Sequence, residues 1–206
     1  MRNDRIEDFL DALAARAPVP GGGATAALHA AQGAALVAMV ARYSEGEKYR
    51  ENATTITQVR DNADELRALA LTLAERDAAA FGAVTRAYAL PKSTDGEKVA
   101  RSQAIRTALV EAGRVPARVI AVAKQIISLA ERLQPIGNPN VISDVAAAAD
   151  AARAALSTAR VNVEINLAGI TDAGVRDELT AATATVDQAM TRADDVTTKV
   201  RKQISR

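Results

Sequence analysis

The chain has 206 residues, with 26 Lys and Arg against 25 Asp and Glu, a net charge of +1, and no cysteine. That balance leaves no basic face for nucleic acid, and the missing thiols exclude disulfides, Cys-based zinc sites and thiol catalysis. A single His argues against a His-rich metal centre or a Ser-His-Asp triad, and with 2% aromatics there is no base-stacking platform.

Alanine supplies 48 residues and charges recur every few positions, the composition of helices. No run alternates β-branched and polar residues, so strands are not expected. Residues 1–206 read as one all-α domain, a multi-helix bundle of about seven helices with a buried central Ala/Gly-rich helix. The first helix, near 4–16, puts Ile6, Phe9, Leu10 and Leu13 on one face. The second, near 22–42, is apolar all round and must be central. The third, about 51–89, carries the seam Ile56, Val59, Ala63, Leu66, Ala70, Leu73, then Ala80, Phe81 and Val84. A fourth covers about 95–112, and a fifth starts with Pro116 in its first turn, where proline is tolerated. The fifth repeats Val119, Val122, Ile126, Leu129 and Leu133. A sixth covers about 141–167, and a seventh repeats apolar positions from Val175 through Leu179, Val186, Ala193 and Val196 to Val200.

These seams are thin, because alanine offers little area beside the roughly 1.5–3 kcal/mol of a buried Leu or Ile. Small side chains permit close helix approach instead. A bundle of this kind gains by covering another face with a copy of itself, so a homodimer is expected. The charged start Met1-Arg2-Asn3-Asp4-Arg5 leads into no apolar export segment. The uncharged stretch 17–41 is long enough to span a membrane, yet it opens with prolines and glycines and holds His29 and Gln32 among alanines. It reads as a buried helix, and the chain as cytoplasmic, without membrane or nucleic-acid partners.

Four features could carry chemistry. Gly21, Gly22 and Gly23 open the second helix. Gly21, Gly23 and Ala26 match G-x-G-x-x-A only formally, since no strand precedes them. They are either a tightly packed turn or a helix start whose free amides receive an anion. Asp77 falls where the third helix's seam would place an apolar residue, between Leu73 and Phe81. Burial there would raise its pKa, and the carboxylate is either a structural cap or an acid/base. Around Gly137, the residues Asn138, Asn140, Ser143 and Asp144 are ordinary caps or a polar binding loop. Asn162 and Asn166, four apart, share a helix face among Val161, Val163, Ile165 and Leu167. Buried amides must be satisfied, so they bridge helices or read a polar ligand. Asp144 lies five turns before Asn162, about 27 Å away along a continuous helix at about 1.5 Å per residue. Lys92, after Leu90-Pro91, reads in isolation as a solvated charge, and His29 as a core or interface histidine. No ligand set for a metal or nucleotide is visible.

Taken in order, several blocks resemble the formiminotetrahydrofolate cyclodeaminase / methenyltetrahydrofolate cyclohydrolase family. They are Pro18-Val19-Pro20-Gly21-Gly22-Gly23 with Ala26-Ala27-Leu28, Asp77-Ala78-Ala79-Ala80-Phe81, Leu90-Pro91-Lys92, Gly137-Asn138-Pro139-Asn140 with Ser143-Asp144, and Asn162-Val163-Glu164-Ile165-Asn166-Leu167. The likeness runs from about Phe9 to Asp172. It implies an all-helical dimer acting on a tetrahydrofolate derivative, with no tightly bound cofactor. The implied reactions are closure of 5-formiminotetrahydrofolate to the 5,10-methenyl form with loss of ammonia, or hydrolysis of the methenyl bridge. By the same likeness Asp77, Lys92, Asp144, Asn162 and Asn166 become pocket candidates, and the proton transfers these reactions need would fall to Asp144 or Asp77 as acid/base, with Lys92 helping to hold charge. Asn162 and Asn166 would meet the pterin edge, with Asn138, Asn140 and Ser143 as further binding residues and Gly21–Gly23 facing the glutamate tail. Two departures stand out: Ala24 occupies a position where the family often has Ser, and His29 and Gln32 replace small apolar residues. A non-catalytic folate binder or helical interaction module is the alternative.

Overall fold

A computed structural model describes residues 2–205. Among them are seven α-helices and no strand: α1 (Ile6–Ala14), α2 (Gly22–Arg42), α3 (Ala53–Tyr88), α4 (Asp95–Leu133), α5 (Ser143–Leu167), α6 (Ala173–Ala184) and α7 (Val186–Ile204). Short 3-10 turns, Glu47–Asn52 and Pro139–Val141, precede α3 and α5. The helices α2, α3, α4 and α5 pack on one another, α7 lies along α5 and α4, and α6 closes against α4 and α5.

The central helix is α2, as its all-round apolar character requires. Ala26, Ala27, Ala30, Ala34, Val37 and Ala41 are fully buried against its neighbours. By length and composition α2 could cross a membrane, but most of its apolar stretch is buried inside the bundle. At Gly33 an added Cβ would lie 3.0 Å from the Ala148 carbonyl of α5. The small-residue seam therefore brings the two backbones close, and dispersion over this tight contact substitutes for large side chains.

Two helix boundaries differ from the sequence expectation. Pro116 does not begin a helix; α4 runs through it for 39 residues, with the proline buried inside. The start of α4 lies at Thr94, where a capping box forms: Thr94 Oγ1 accepts from Glu97 N at 3.2 Å and the Glu97 carboxylate accepts from Thr94 N at 2.9 Å. The expected seventh helix is instead two, broken at Thr185. The hydroxyls of Thr183 and Thr185 turn back to the carbonyls of Thr180 and Ala182, and Lys124 Nζ of α4 donates to Thr185 Oγ1 at 3.0 Å. Such local bonding competes with the helical ladder.

Two faces also differ. On α1 the stripe exists but none of it is fully buried: Phe9 and Leu13 are partly covered, while Ile6 is 80% and Leu10 53% exposed. On α3 the seam through Leu73 is buried as expected, whereas Phe81 is 48% exposed at the rim of a cavity.

Candidate active site

The N-terminus of α2, the C-terminal third of α3, the C-terminal half of α5 and one turn of α4 converge on a cavity of about 200 Å³. Its walls come from Val19 before α2, Gly21–Gly23, Asp77 and Phe81 of α3, Ala112 of α4, and Asn162 and Asn166 of α5. Asp77 is the one titratable side chain among these.

Asp77 reaches the first turn of α2. A helix leaves its first amides without intrahelical partners, and the cap residue here, Gly21, has no side chain to supply one. Asp77 takes that role from another helix: the Ala24 N–H donates to its carboxylate. Gly23 makes the approach possible, because a Cβ there would overlap the carboxylate. Burial pushes the Asp77 carboxyl above its ordinary value, and the Ala24 amide pulls it only partway back. The two readings left open for the glycines thus both have a part in it. Packing is tight at Gly23, whereas nothing lies within 4 Å of a Cβ at Gly21, and the helix start receives an anion that is the protein's own carboxylate. A second negative group, such as a glutamate tail, would meet Asp77 there.

The two asparagines are fixed by carbonyl acceptors. Asn162 Nδ2 donates to Thr158 O at 2.8 Å, and Asn166 Nδ2 donates to Asn162 O at 2.7 Å and to Ala112 O at 3.2 Å. A carbonyl accepts only from the NH2 side, so each carboxamide keeps its Oδ1 for another donor. Asn162 also approaches the turn of glycines, its Nδ2 lying 3.6 Å from where a Gly22 Cβ would stand. The surroundings differ from the apolar setting inferred from sequence: Val163 is buried, but Val161 and Ile165 are 58% and 72% exposed.

The other candidates lie elsewhere in the chain. Lys92 is exposed in the connection between α3 and α4, beyond the end of the helix that carries Asp77. Because α5 is continuous, Asp144 stands at its far end from Asn162. There Asn138 uses both ends of its side chain structurally: Nδ2 donates to Tyr43 O at 2.8 Å and Oδ1 accepts from Asn140 N at 3.0 Å. The buried Ser44 hydroxyl accepts from Asn138 N at 2.8 Å. Asn138 and Asn140 therefore belong to a loop tied to the C-terminal end of α2, Ser143 opens α5 just after it, and none of the three lines the cavity. Ala112 was missed from sequence as an unremarkable alanine; the signal was Pro116 four residues later, which leaves the Ala112 carbonyl without a helical donor. His29 is partly buried beside α1, in a groove with Phe9, Leu28 and Leu71. Among the described residues no three His, Cys, Asp or Glu side chains gather as a metal would require.

The helical bundle thus brings one raised carboxyl and two oriented carboxamides together at one small cavity. Comparison with known proteins gives the family. The Formiminotransferase-cyclodeaminase family model matches residues 5–185, and the chain belongs to that family. It is 44% identical over 177 residues to the methenyltetrahydrofolate cyclohydrolase of Methylorubrum extorquens, covering 85% of each chain. It is 33% identical over 168 residues to the mouse formimidoyltransferase-cyclodeaminase, matching 81% of this chain but only 31% of that protein. The crystal structure of formiminotetrahydrofolate cyclodeaminase from Thermotoga maritima superposes with a TM-score of 0.82 at 31% identity, covering 99% of this chain and 97% of that one.

Proposed function

We propose that this protein hydrolyses 5,10-methenyltetrahydrofolate to the 10-formyl form. The observation that carries the reading is Asp77, a carboxyl with a raised pKa in the same small cavity as two carboxamides with unspent acceptors. The higher identity to the cyclohydrolase than to the cyclodeaminases supports this reaction over its sister.

The methenyl bridge is a delocalised cation between two nitrogens, so an ionised Asp77 favours its arrival. Asp77 takes a proton from water as the water oxygen bonds to the bridge carbon. The resulting carbinolamine breaks its bond to N5, the bond's electron pair stays on N5, and Asp77 returns the proton there. The hydroxyl loses its own proton to solvent as the formyl carbonyl forms. A carboxyl shifted upward serves both directions of this transfer better than an ordinary one. Asn162 and Asn166 accept from N–H groups on the pterin edge, and the half-exposed Phe81 covers the ring at the rim. At about 200 Å³ the cavity suits the fused rings and their methenyl carbon alone, below the roughly 300–1,000 Å³ of pockets that enclose a whole ligand. The aminobenzoyl-glutamate part then extends outside, away from the Asp77 charge.

The structural likeness to a cyclodeaminase supports a second reading, in which protonated Asp77 gives its proton to the departing ammonia of the formimino compound. One spectrophotometric assay separates them. Loss of the methenyl absorbance marks the hydrolase, its growth from the formimino substrate marks the deaminase, and binding without either change marks a non-catalytic folate binder. Asp77→Asn keeps the shape and removes the titration, and kcat is expected to fall by about 10²–10⁴. Near-wild-type turnover in that variant ends the assignment. Asp144→Asn is the informative companion: a loss as large would mean that a second copy brings that end of α5 to the cavity. We place the reaction in the cytoplasm and in a homodimer, the latter supported by the uncovered apolar stripe of α1.

A further inference from the structure

Inside α4, residue 116 would ordinarily donate its N–H to the carbonyl of residue 112. Pro116 has no N–H, and the helix continues through it regardless. The Ala112 carbonyl is thereby released from the ladder, and Asn166 Nδ2 of α5 occupies it at 3.2 Å. Ala112 and Asn166 both line the cavity. The helices come close enough for this bond because residue 113 is glycine: a Cβ there would lie 3.7 Å from Asn166 Cβ and 2.8 Å from Leu179 Cδ1.

We propose that Pro116 is a positioning residue for substrate recognition, vacating the Ala112 carbonyl so that Asn166 is locked across it with Oδ1 presented to the ligand. The second Nδ2 hydrogen goes to Asn162 O at 2.7 Å, so both donors of the carboxamide are spent on carbonyls of two different helices. Rotation of the amide would break both bonds at once. Restoring an N–H at position 116, with the ring that pushes the i−4 carbonyl aside gone, draws the Ala112 carbonyl back into line with the helix axis and away from Asn166. Asn166 is then held by one bond rather than two, and its acceptor is presented only part of the time.

Pro116→Ala supplies that N–H and is the better helix former. In a purely structural account it changes stability and catalysis together. Here the two separate: the denaturant midpoint holds or rises, kcat stays within about twofold, and KM for the methenyl substrate rises about tenfold, the scale of one lost hydrogen bond. Pro116→Ser, which restores the same N–H, gives the same pattern. In the Asn166→Ala background, Pro116→Ala adds no more than about twofold, because the two act through one bond. This kinetic arm rests on the folate reading; the amide arm does not. Nitrogen-edited NMR of the full protein follows exchange of the Asn166 carboxamide protons, expected to be at least tenfold faster in Pro116→Ala. Unchanged exchange overturns the inference whatever the substrate proves to be. So does an unchanged KM in an active variant, or loss of the fold in both substitutions, which would make the ring a packing element. If exchange accelerates while no folate is turned over or bound, the lock stands and the folate reading fails.

Discussion

Asp77 shows how one side chain holds two opposed demands. Its carboxylate completes the first turn of α2, a favourable place for negative charge, and burial in the cavity still leaves the carboxyl raised. The folded protein therefore keeps a proton that the unfolded chain releases near the ordinary value of 3.8. Where the folded state binds more protons, stability falls as pH rises. The contribution of this group is fully present below that value, declines as pH climbs through the raised folded one, and is level above it. Asp77→Asn can still accept from Ala24 N–H but cannot ionise, so its stability relative to wild type should improve from about pH 4 towards neutrality. Urea midpoints at several pH values test this, and a variant that runs parallel to wild type throughout would show that Asp77 is not buried in solution. Asp77 was legible from sequence because it interrupts a run of apolar residues at helical spacing, and the Asn pair because the two amides sit four apart. Lys92 and Asp144 fall outside the cavity for a reason that no local pattern carries: which helix ends meet depends on how the rods are laid against one another.

At the scale of elements, α2 was readable as a helix apolar all round and α3 as one continuous apolar seam, and the extent of α5 followed from the proline and glycine that flank it. Pro116 and Thr185 defeated that reading in opposite directions, and each for a tertiary cause. A proline is tolerated within α4 because a carboxamide from α5 satisfies the carbonyl it strands, and α6 parts from α7 where a lysine of α4 holds the threonine. The loop 137–144 is the other case, where polar residues that resemble a binding site serve as joinery. Ser44, fully buried, donates to Val40 O at 2.7 Å and accepts from Asn138 N at 2.8 Å. Ser44→Ala leaves the Asn138 amide without its acceptor, and loss of such a partner costs about 1–3 kcal/mol. The expected result is a lower denaturant midpoint with an unchanged m value, and kcat/KM within about twofold because the cavity lies at the other end of α2. A fall in activity matching that of Asp77→Asn would return the loop to the site.

For the whole molecule, the question is what covers α1. The helix is nine residues long with no buried residue, too short to persist in water on its own. Ile6, Leu10, Phe9 and Leu13 nevertheless line an apolar groove of about 420 Å³ with Leu28, His29 and Leu71. A second copy seated on this groove would bury the stripe twice over, since a two-fold interface presents the same patch from both sides. Each large aliphatic side chain so covered contributes about 1.5–3 kcal/mol. Ile6→Asp combined with Leu10→Asp would therefore remove four such contributions from a dimer of this kind and none from the chain's own core. The double variant should keep its circular dichroism and sediment as a monomer at concentrations where the wild type is expected to dimerise, its dissociation constant raised by more than a hundredfold. The folate assay then asks whether the cavity works alone. Retained activity in the monomer confines the chemistry to Asp77, Asn162 and Asn166 of one chain, whereas activity lost together with the dimer means that a partner supplies part of the site. A double variant that still sediments as a dimer removes α1 from the interface, and a monomeric wild type removes the interface itself.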